Sequence, residues 1–374
     1  MFIGYARTSD ELDAAIELAA QTFHGSSDGA SDIKRGLLSP VGNLLIGDVV
    51  VLVIDEVVCG SCFFIDRDFF FNKRKLKGTF FSSICIHEEN RGQGLSVTLM
   101  DKAISLCSER GSFFAALIAR RAVDNFYTKF SFWGISQYSK IHLNLSGYQS
   151  LGQNGIVAQA SKRELNVIGE IYECVYSRQH GSSYRTAEYW LYILWKAKHF
   201  GFYFFCYKIN GEVKGYAICN EKGVYELAVT DEVGYLDFLM QIGVIKPQKE
   251  FLIHCADTHP IVTQLRDIDF TLSKRQCIYG GHMIRVINEK AMLKLLYEDS
   301  QQEVPMFSVD IKSESSCGVE MVIKDGAKKF KLTTPAVNYE NTCFLMRARN
   351  ITGDGPESDG LKNISFNIPY FDQI

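Results

Sequence analysis

The chain has 374 residues, 47% of them apolar and 13% aromatic, which is enough for a substantial buried core and predicts two or three domains. A net charge of −3 supplies no global basic field to recruit nucleic acid, and no apolar run reaches membrane-spanning length. Eleven cysteines, an odd number spread over the whole chain, fit reduced and mostly buried thiols better than a disulfide framework.

The first residues, Met1-Phe2-Ile3-Gly4-Tyr5-Ala6-Arg7, show no signal-peptide pattern, so a cytoplasmic protein is expected. Thr8-Ser9-Asp10-Glu11 is a capping box, and Leu12, Ile16, Ala19 and Phe23 follow on one helical face. A Gly- and Ser-rich loop, Gly25 to Ser31, comes next. Two strands, Val49–Ile54 and Val57–Phe64, meet across Asp55-Glu56, which reads as a tight hairpin. Cys59-Gly60-Ser61-Cys62 has redox or zinc-ligand spacing, yet it lies in an apolar strand with no second ligand pair after it. It reads as core packing, and no metal site is expected. Lys73-Arg74-Lys75-Leu76-Lys77 reads as a solvated hairpin tip.

From Phe80 to Leu106 the chain reads as a buried strand (Phe80, Phe81, Ile84, Ile86), a polar turn and a helix. The turn is Arg91-Gly92-Gln93-Gly94-Leu95-Ser96. Leu95, Leu99, Ala103 and Leu106 recur at helical spacing, with Met100, Ile104 and Cys107 widening the same face. A strand that delivers glycines to a helix N-terminus suits an anion. The backbone at Gly92 and Gly94 has no Cβ, and the first-turn N–H groups lack partners within the helix. The plainer reading is a strand–turn–helix whose glycines serve only the turn. A strand over Phe113–Ala119 follows, then Asn125-Phe126-Tyr127-Thr128-Lys129-Phe130-Ser131-Phe132.

From Ser161 the pattern restarts. Ser161-Lys162-Arg163-Glu164 is a second capping box, with Leu165, Ile168, Tyr172 and Val175 on one helix face and a further helix near 184–198. Strands Phe202–Lys208 and Glu212–Cys219 join through Asn210-Gly211, a type I′ hairpin signal. A strand over Val224–Val229, a helix near 232–242, a strand over Phe251–Cys255 and a helix opening at Pro260 complete a second unit. Its turn, Thr230-Asp231-Glu232-Val233-Gly234-Tyr235, has no arginine, a single glycine and two acids where a pyrophosphate needs positive potential. It is not expected to bind such a ligand. The last segment opens with His282-Met283-Ile284-Arg285-Val286-Ile287-Asn288 and passes into a short helix, Lys290–Leu296. Strands around 305–311 and 319–323 follow, then a loop from Gly353 to Gly360, and the chain ends Pro369-Tyr370-Phe371-Asp372-Gln373-Ile374.

Arg91, Gly94 and Ser96 fill the places of the acyl-CoA signature of the GNAT acyltransferase superfamily, with Ser in place of the usual Gly or Ala. Phe126-Tyr127 resembles the Phe-Tyr motif that GNAT enzymes carry downstream. Ser131 stands where the family has glycine, and Arg120 where many members have Asn. Two such units followed by Met283-Ile284-Arg285-Val286-Ile287-Asn288 and a small mixed domain resemble the enhanced intracellular survival (Eis) acetyltransferases over essentially the full chain. The resemblance implies an α+β protein with tandem GNAT-like mixed-sheet domains. Residues 1–150 would be catalytic, 151–282 a degenerate central GNAT-like domain, and 283–374 a sterol-carrier-protein-like domain. Homohexamers are common in that family.

The same resemblance implies an acetyl-CoA-dependent N-acetyltransferase. The cofactor would be held at Ile84, Cys85, Ile86, Arg91, Gly92, Gln93, Gly94, Leu95, Ser96 and Val97. Tyr127 would act as general acid, and the α-carboxylate of Ile374, reaching into the first domain, as general base. A phenol near pKa 10 stays protonated at neutral pH, whereas a terminal carboxylate near 3.3–3.7 needs desolvation or a bridging water to serve as a base. The acceptor would be a primary amine: an amino sugar, a polyamine or a lysine. Two other readings stand beside this one, a non-catalytic acyl-CoA-binding protein and a lipid carrier.

Overall fold

The structure, a computed structural model, describes residues 1–25, 45–71, 73–119, 123–134, 137–149, 155–246, 250–256, 258–265, 268–276, 281–288 and 291, together with the backbone of 307–315, 318–325 and 328–334. Strand β1 (Phe2–Tyr5) leads to helix α1 (Ser9–His24). Thr8 caps that helix by accepting from the Glu11 N–H at 3.2 Å, and the Glu11 carboxylate turns back to accept from the Arg7 N–H at 2.6 Å. Gly25, at φ 74, ends it in the left-handed conformation. Strand β2 (Val49–Ile54) turns into β3 (Val57–Phe71) through Asp55 and Glu56, both left-handed at φ 48 and 66, as a type I′ hairpin requires. β4 (Arg74–Ile86), α2 (Leu95–Glu109), β5 (Phe114–Ala119), α3 (Asp124–Thr128) and β6 (Trp133–Gly134) follow.

These strands form one sheet with an apolar core on each face. Val49, Val51 and Val53 point to the side of α1, while Val50 and Leu52 point to the side of α2. Period-two alternation disappears from the sequence of β2 because both faces are covered. Cys59 and Cys62 are buried free thiols within these cores, as read from the sequence.

The second unit repeats the plan. Strand β7 (Gln137–Asn144) precedes β8 (Ile156–Gln159), α4 (Leu165–Tyr176) and α5 (Ala187–His199). β9 (Tyr203–Ile209) and β10 (Glu212–Asn220) meet at Asn210 and Gly211, φ 52 and 84. β11 (Gly223–Val229), α6 (Tyr235–Ile245), β12 (Glu250–Cys255), a 3-10 turn with Pro260 in its first position, β13 (Asp269–Gln276) and β14 (Gly281–Val286) complete it.

The two sheets exchange strands. β14, from the end of the second unit, inserts between β5 and β6, giving the order β1-β2-β3-β4-β5-β14-β6. β7, from the end of the first unit, crosses into the second sheet, giving β13-β7-β12-β11-β10-β9-β8. Each sheet thus borrows a strand from the other half of the chain. Apolar alternation identifies a strand but not the sheet that it joins.

The β3–β4 hairpin is also held by the second unit. The Phe70 N–H donates to the Ser182 carbonyl at 2.6 Å, Gly181 N–H to Phe70 at 2.9 Å and Tyr184 N–H to Asp68 at 2.8 Å. The basic run expected as a solvated tip is therefore partly engaged. The Lys75 ammonium lies 3.1 Å from the centre of the Tyr184 ring, and Lys77 pairs with Asp66 at 3.0 Å.

A third, separate sheet is an antiparallel meander of β15 (Phe307–Ser315), β16 (Gly318–Asp325) and β17 (Lys328–Thr334). Most of the short helix expected at 290–296, the loop at 353–360, Arg120 and Ile374 lie outside the described residues.

A buried ion pair organises the second unit. Arg185 and Glu226 meet through two bonds, Nη1–Oε1 at 2.6 Å and Nη2–Oε2 at 2.7 Å, with both side chains fully buried. The Tyr216 hydroxyl donates to Glu226 at 2.7 Å, and the guanidinium lies 4.2 Å from the Tyr172 ring centre and 4.6 Å from that of Trp190. Removing one partner strands the other charge in an apolar core. Glu226→Ala is expected to lower stability by about 3–5 kcal/mol. Denaturant unfolding checks this, and the double variant Glu226→Met with Arg185→Met should cost less than Glu226→Ala alone.

Candidate active site

β4 and β5 are parallel neighbours that part company. Their ladder runs from Gly78↔Phe114 to Phe81↔Leu117 and stops there. Opposite β3, the pairs Ser61↔Cys85 and Phe63↔Ser82 leave Ser83 and Ile84 together facing Cys62, a β-bulge in β4. Ser83 takes φ 48, a left-handed conformation uncommon for a residue with a side chain, so the bulge carries backbone strain. Past it, the β5-facing edge of Ser82–Ile86 has no strand partner among the described residues.

A cleft of about 530 Å³ opens in the resulting gap. Ile84, Cys85 and Ile86 form one wall, and Arg91, Gly92, Gly94, Leu95 and Ser96 form the end towards α2. Gly92 and Gly94 sit at φ 80 and 78, and a Cβ on either would meet no heavy atom within 4 Å. The turn is thus an open cradle at the start of a 15-residue helix, where unpaired N–H groups and the helix dipole favour an anion. Gln93 belongs to the turn without lining the cleft. Val97 also lies outside the lining, and its N–H is taken up by the Gly94 carbonyl at 2.9 Å.

Tyr127 reaches the same cleft from α3. Its backbone carbonyl accepts from the Phe130 and Phe132 N–H groups at 3.0 and 3.2 Å, and the Phe126 ring stands 5.2 Å from its own. Arg285, on the inserted strand β14, donates to the Phe130 carbonyl at 2.8 Å and braces that turn. Ser131 adopts φ 58, so it performs the left-handed turn for which the GNAT pattern uses glycine. Burial pushes the Tyr127 hydroxyl up to about 12, which keeps it protonated and able to donate.

Cys85 faces the α1 side, with its sulfur 3.3 Å from the Ser61 hydroxyl, and burial pushes the thiol pKa up. It is a wall residue rather than a nucleophile. Among the described lining residues there is no carboxylate and no imidazole. Sequence reasoning did not identify Thr22, Phe23, Asn90, Ile118, Val123 or Phe126 as part of the cleft. Apart from Phe126, which stands in the Phe-Tyr motif beside Tyr127, they carry no local signal; only the fold brings them together.

The second unit keeps the parallel pair, β11 beside β12, joined at Val224↔Ile253. Its gap is filled from within. The Tyr176 hydroxyl lies 3.4 Å from the Leu227 N–H and 3.3 Å from the Leu227 carbonyl, and His259 Nε2 lies 2.9 Å from that same carbonyl. Burial lowers the His259 pKa to about 4, so the ring is neutral. The backbone edge that stays open in the first unit is occupied here by the protein's own side chains.

Residues 6–135 match a sequence model of the acetyltransferase (GNAT) domain family. No curated protein matches the chain. Three solved structures are similar to it in fold. A GCN5-related N-acetyltransferase from Anabaena variabilis has TM-score 0.67 at 12% identity, and one from Kribbella flavida has 0.63 at 14%. Eis1 from Mycobacterium abscessus has 0.64 at 14%. In each case 100% of both chains is covered. With this match over the unit that holds the open cleft, the protein carries a GNAT acetyltransferase domain and is an N-acyltransferase of the GNAT type.

Proposed function

We propose that the chain transfers the acetyl group of acetyl-CoA directly to a primary amine in the cleft between β4 and β5. The observation that carries this reading is the convergence of three features on one gap. These are the unpaired edge of Ser82–Ile86, the open glycine cradle, and the protonated hydroxyl of Tyr127. Acetyl-CoA supplies a thioester, whose carbonyl carbon accepts the amine. Arg91, Gly92, Gly94 and the first turn of α2 hold its pyrophosphate, with Gln93, Leu95, Ser96 and Val97 shaping that turn. Backbone N–H groups on the open edge around Ile84–Ile86 hold its pantetheine arm and support charge on the carbonyl oxygen. Tyr127 gives its proton to the departing sulfur. Holding amine and thioester in one cleft supplies much of the acceleration.

The base in this scheme comes from outside the described lining, namely the α-carboxylate of Ile374. Its segment, 283–374, is read as a sterol-carrier-protein-like domain whose end reaches the first unit. The acceptor is an amino sugar, a polyamine or a lysine amine. A homohexamer is the assembly that the Eis resemblance implies, and a cytoplasmic location is proposed on the first residues, which show no signal-peptide pattern. Among the described residues no helix is long and apolar enough to cross a membrane.

Three outcomes test this reading. Tyr127→Phe should lower kcat by about 10²-fold or more with little change in the KM for acetyl-CoA. Because the folded pKa is raised, the native enzyme should show no alkaline loss from this group until the pH nears about 12; full turnover by the variant refutes the acid role. Gly94→Ala, which puts a side chain at φ 78, should cost about 1–2 kcal/mol of backbone strain and raise the KM for acetyl-CoA more than it lowers kcat. Finally, residues appended after Ile374 should abolish thiol release with spermidine, kanamycin and lysine methyl ester while acetyl-CoA still binds. Undiminished activity removes the terminal carboxylate from the mechanism.

A further inference from the structure

Arg91 lines the cleft beside the glycine cradle, but its described hydrogen bond points back to β4. Its Nε donates to the Ile86 carbonyl at 3.0 Å. The adjoining N–H, of His87, donates the other way, to Cys59 on β3 at 2.8 Å. In a trans peptide the C=O and N–H point in opposite directions. The Ile86 carbonyl therefore faces away from β3, towards the side on which β5 would have continued. No strand reaches it, since the β4–β5 ladder ends at Phe81↔Leu117. The guanidinium stands where the next strand's N–H would have been.

We propose that Arg91 is a positioning residue that takes the place of the missing strand at the last carbonyl of β4 and thereby fixes the width of the gap between β4 and β5. The inference rests on the acyl-CoA reading of this cleft but assigns the arginine a duty other than contact with the pyrophosphate. An unsatisfied carbonyl at this edge would either draw in water or pull β4 out of register with the cradle. The bulge at Ser83 makes the edge compliant, since Cys85 and Ile86 beyond it are held by ladder pairs on one side only. The short 3-10 turn from Glu88 to Asn90 brings Arg91 back within reach, with the Arg91 N–H on the Glu88 carbonyl at 3.2 Å. A planar guanidinium offers Nε to the carbonyl and leaves two further nitrogens for the ligand; a lysine ammonium has no such fork.

The test compares two donors, acetyl-CoA and S-acetyl-pantetheine, which lacks the pyrophosphate. A residue that only binds phosphate affects the first donor and not the second, and Arg91→Lys largely replaces it. A residue that also holds the edge affects both donors, and Lys does not replace it. With spermidine, kanamycin or lysine methyl ester as acceptor, Arg91→Lys and Arg91→Gln should each lower kcat/KM about ten- to a hundredfold for S-acetyl-pantetheine, and at least as much for acetyl-CoA. Loss confined to acetyl-CoA, or full activity of Arg91→Lys, overturns the proposal.

Hydrogen–deuterium exchange decides it without any acceptor. In the ligand-free variants, peptides covering 80–90 should exchange faster than in the native protein, while peptides of the second unit stay unchanged. Native exchange rates at 80–90 in both variants overturn the proposal even if activity falls. Accelerated exchange with no transfer by the native protein supports the positioning role and refutes transfer to these three amines instead.

Discussion

A strand edge cannot be left bare inside a protein. The parallel ladder of β4 and β5 ends at Phe81↔Leu117, and every backbone group beyond it on that side must find another partner. The bulge at Ser83 sets the strands diverging, and what fills the divergence decides what each unit does. In the first unit the gap stays open, bounded by a left-handed glycine turn at one end and by Tyr127 along one wall. In the proposed reading an extended ligand with amide groups and a terminal pyrophosphate fills this gap, its amides completing the ladder where β5 does not.

The second unit answers the same problem without a ligand. Tyr176 and His259 satisfy both main-chain groups of Leu227, and the turn that follows carries Asp231 and Glu232 rather than an open cradle. Its gap is closed by the protein's own side chains. The buried Arg185–Glu226 pair ties the approach to α5 to the central strand β11. The aromatic rings of Tyr172 and Trp190 flank the guanidinium and exclude water from it.

Strand exchange makes the two units one machine. β14 enters the first sheet next to β5, where Arg285 braces the turn that bears Tyr127 and Met283 packs in the same core. The first sheet is therefore incomplete without the strand that ends the second unit. The strap from Ser182 to Tyr184, bonded to the far end of β3, joins the units at the opposite end of the sheet from the cleft.

Much of this was legible in the amino-acid sequence, because it depends on local chemistry. The cap at Thr8, the hairpins at Asp55-Glu56 and Asn210-Gly211, the helix faces of α2 and α4, and the glycine turn all announce themselves within a few residues, whereas Ser161 does not cap α4, which starts at Leu165 with no side-chain cap. The acidic turn of the second unit was legible too, but its closure by Tyr176 and His259 was not, since those residues lie far from Leu227 in sequence. Other features depend on residues far apart in sequence, and only the tertiary structure decided them. No periodicity tells that β7 and β14 trade sheets, since a strand's apolar faces suit either core. Likewise, no local signal marks Thr22, Ile118 or Val123 as cleft residues, or turns Arg91 towards the Ile86 carbonyl. Secondary structure is written in short-range preference, while the width of a gap between two strands is set by what the rest of the chain places on either side of it.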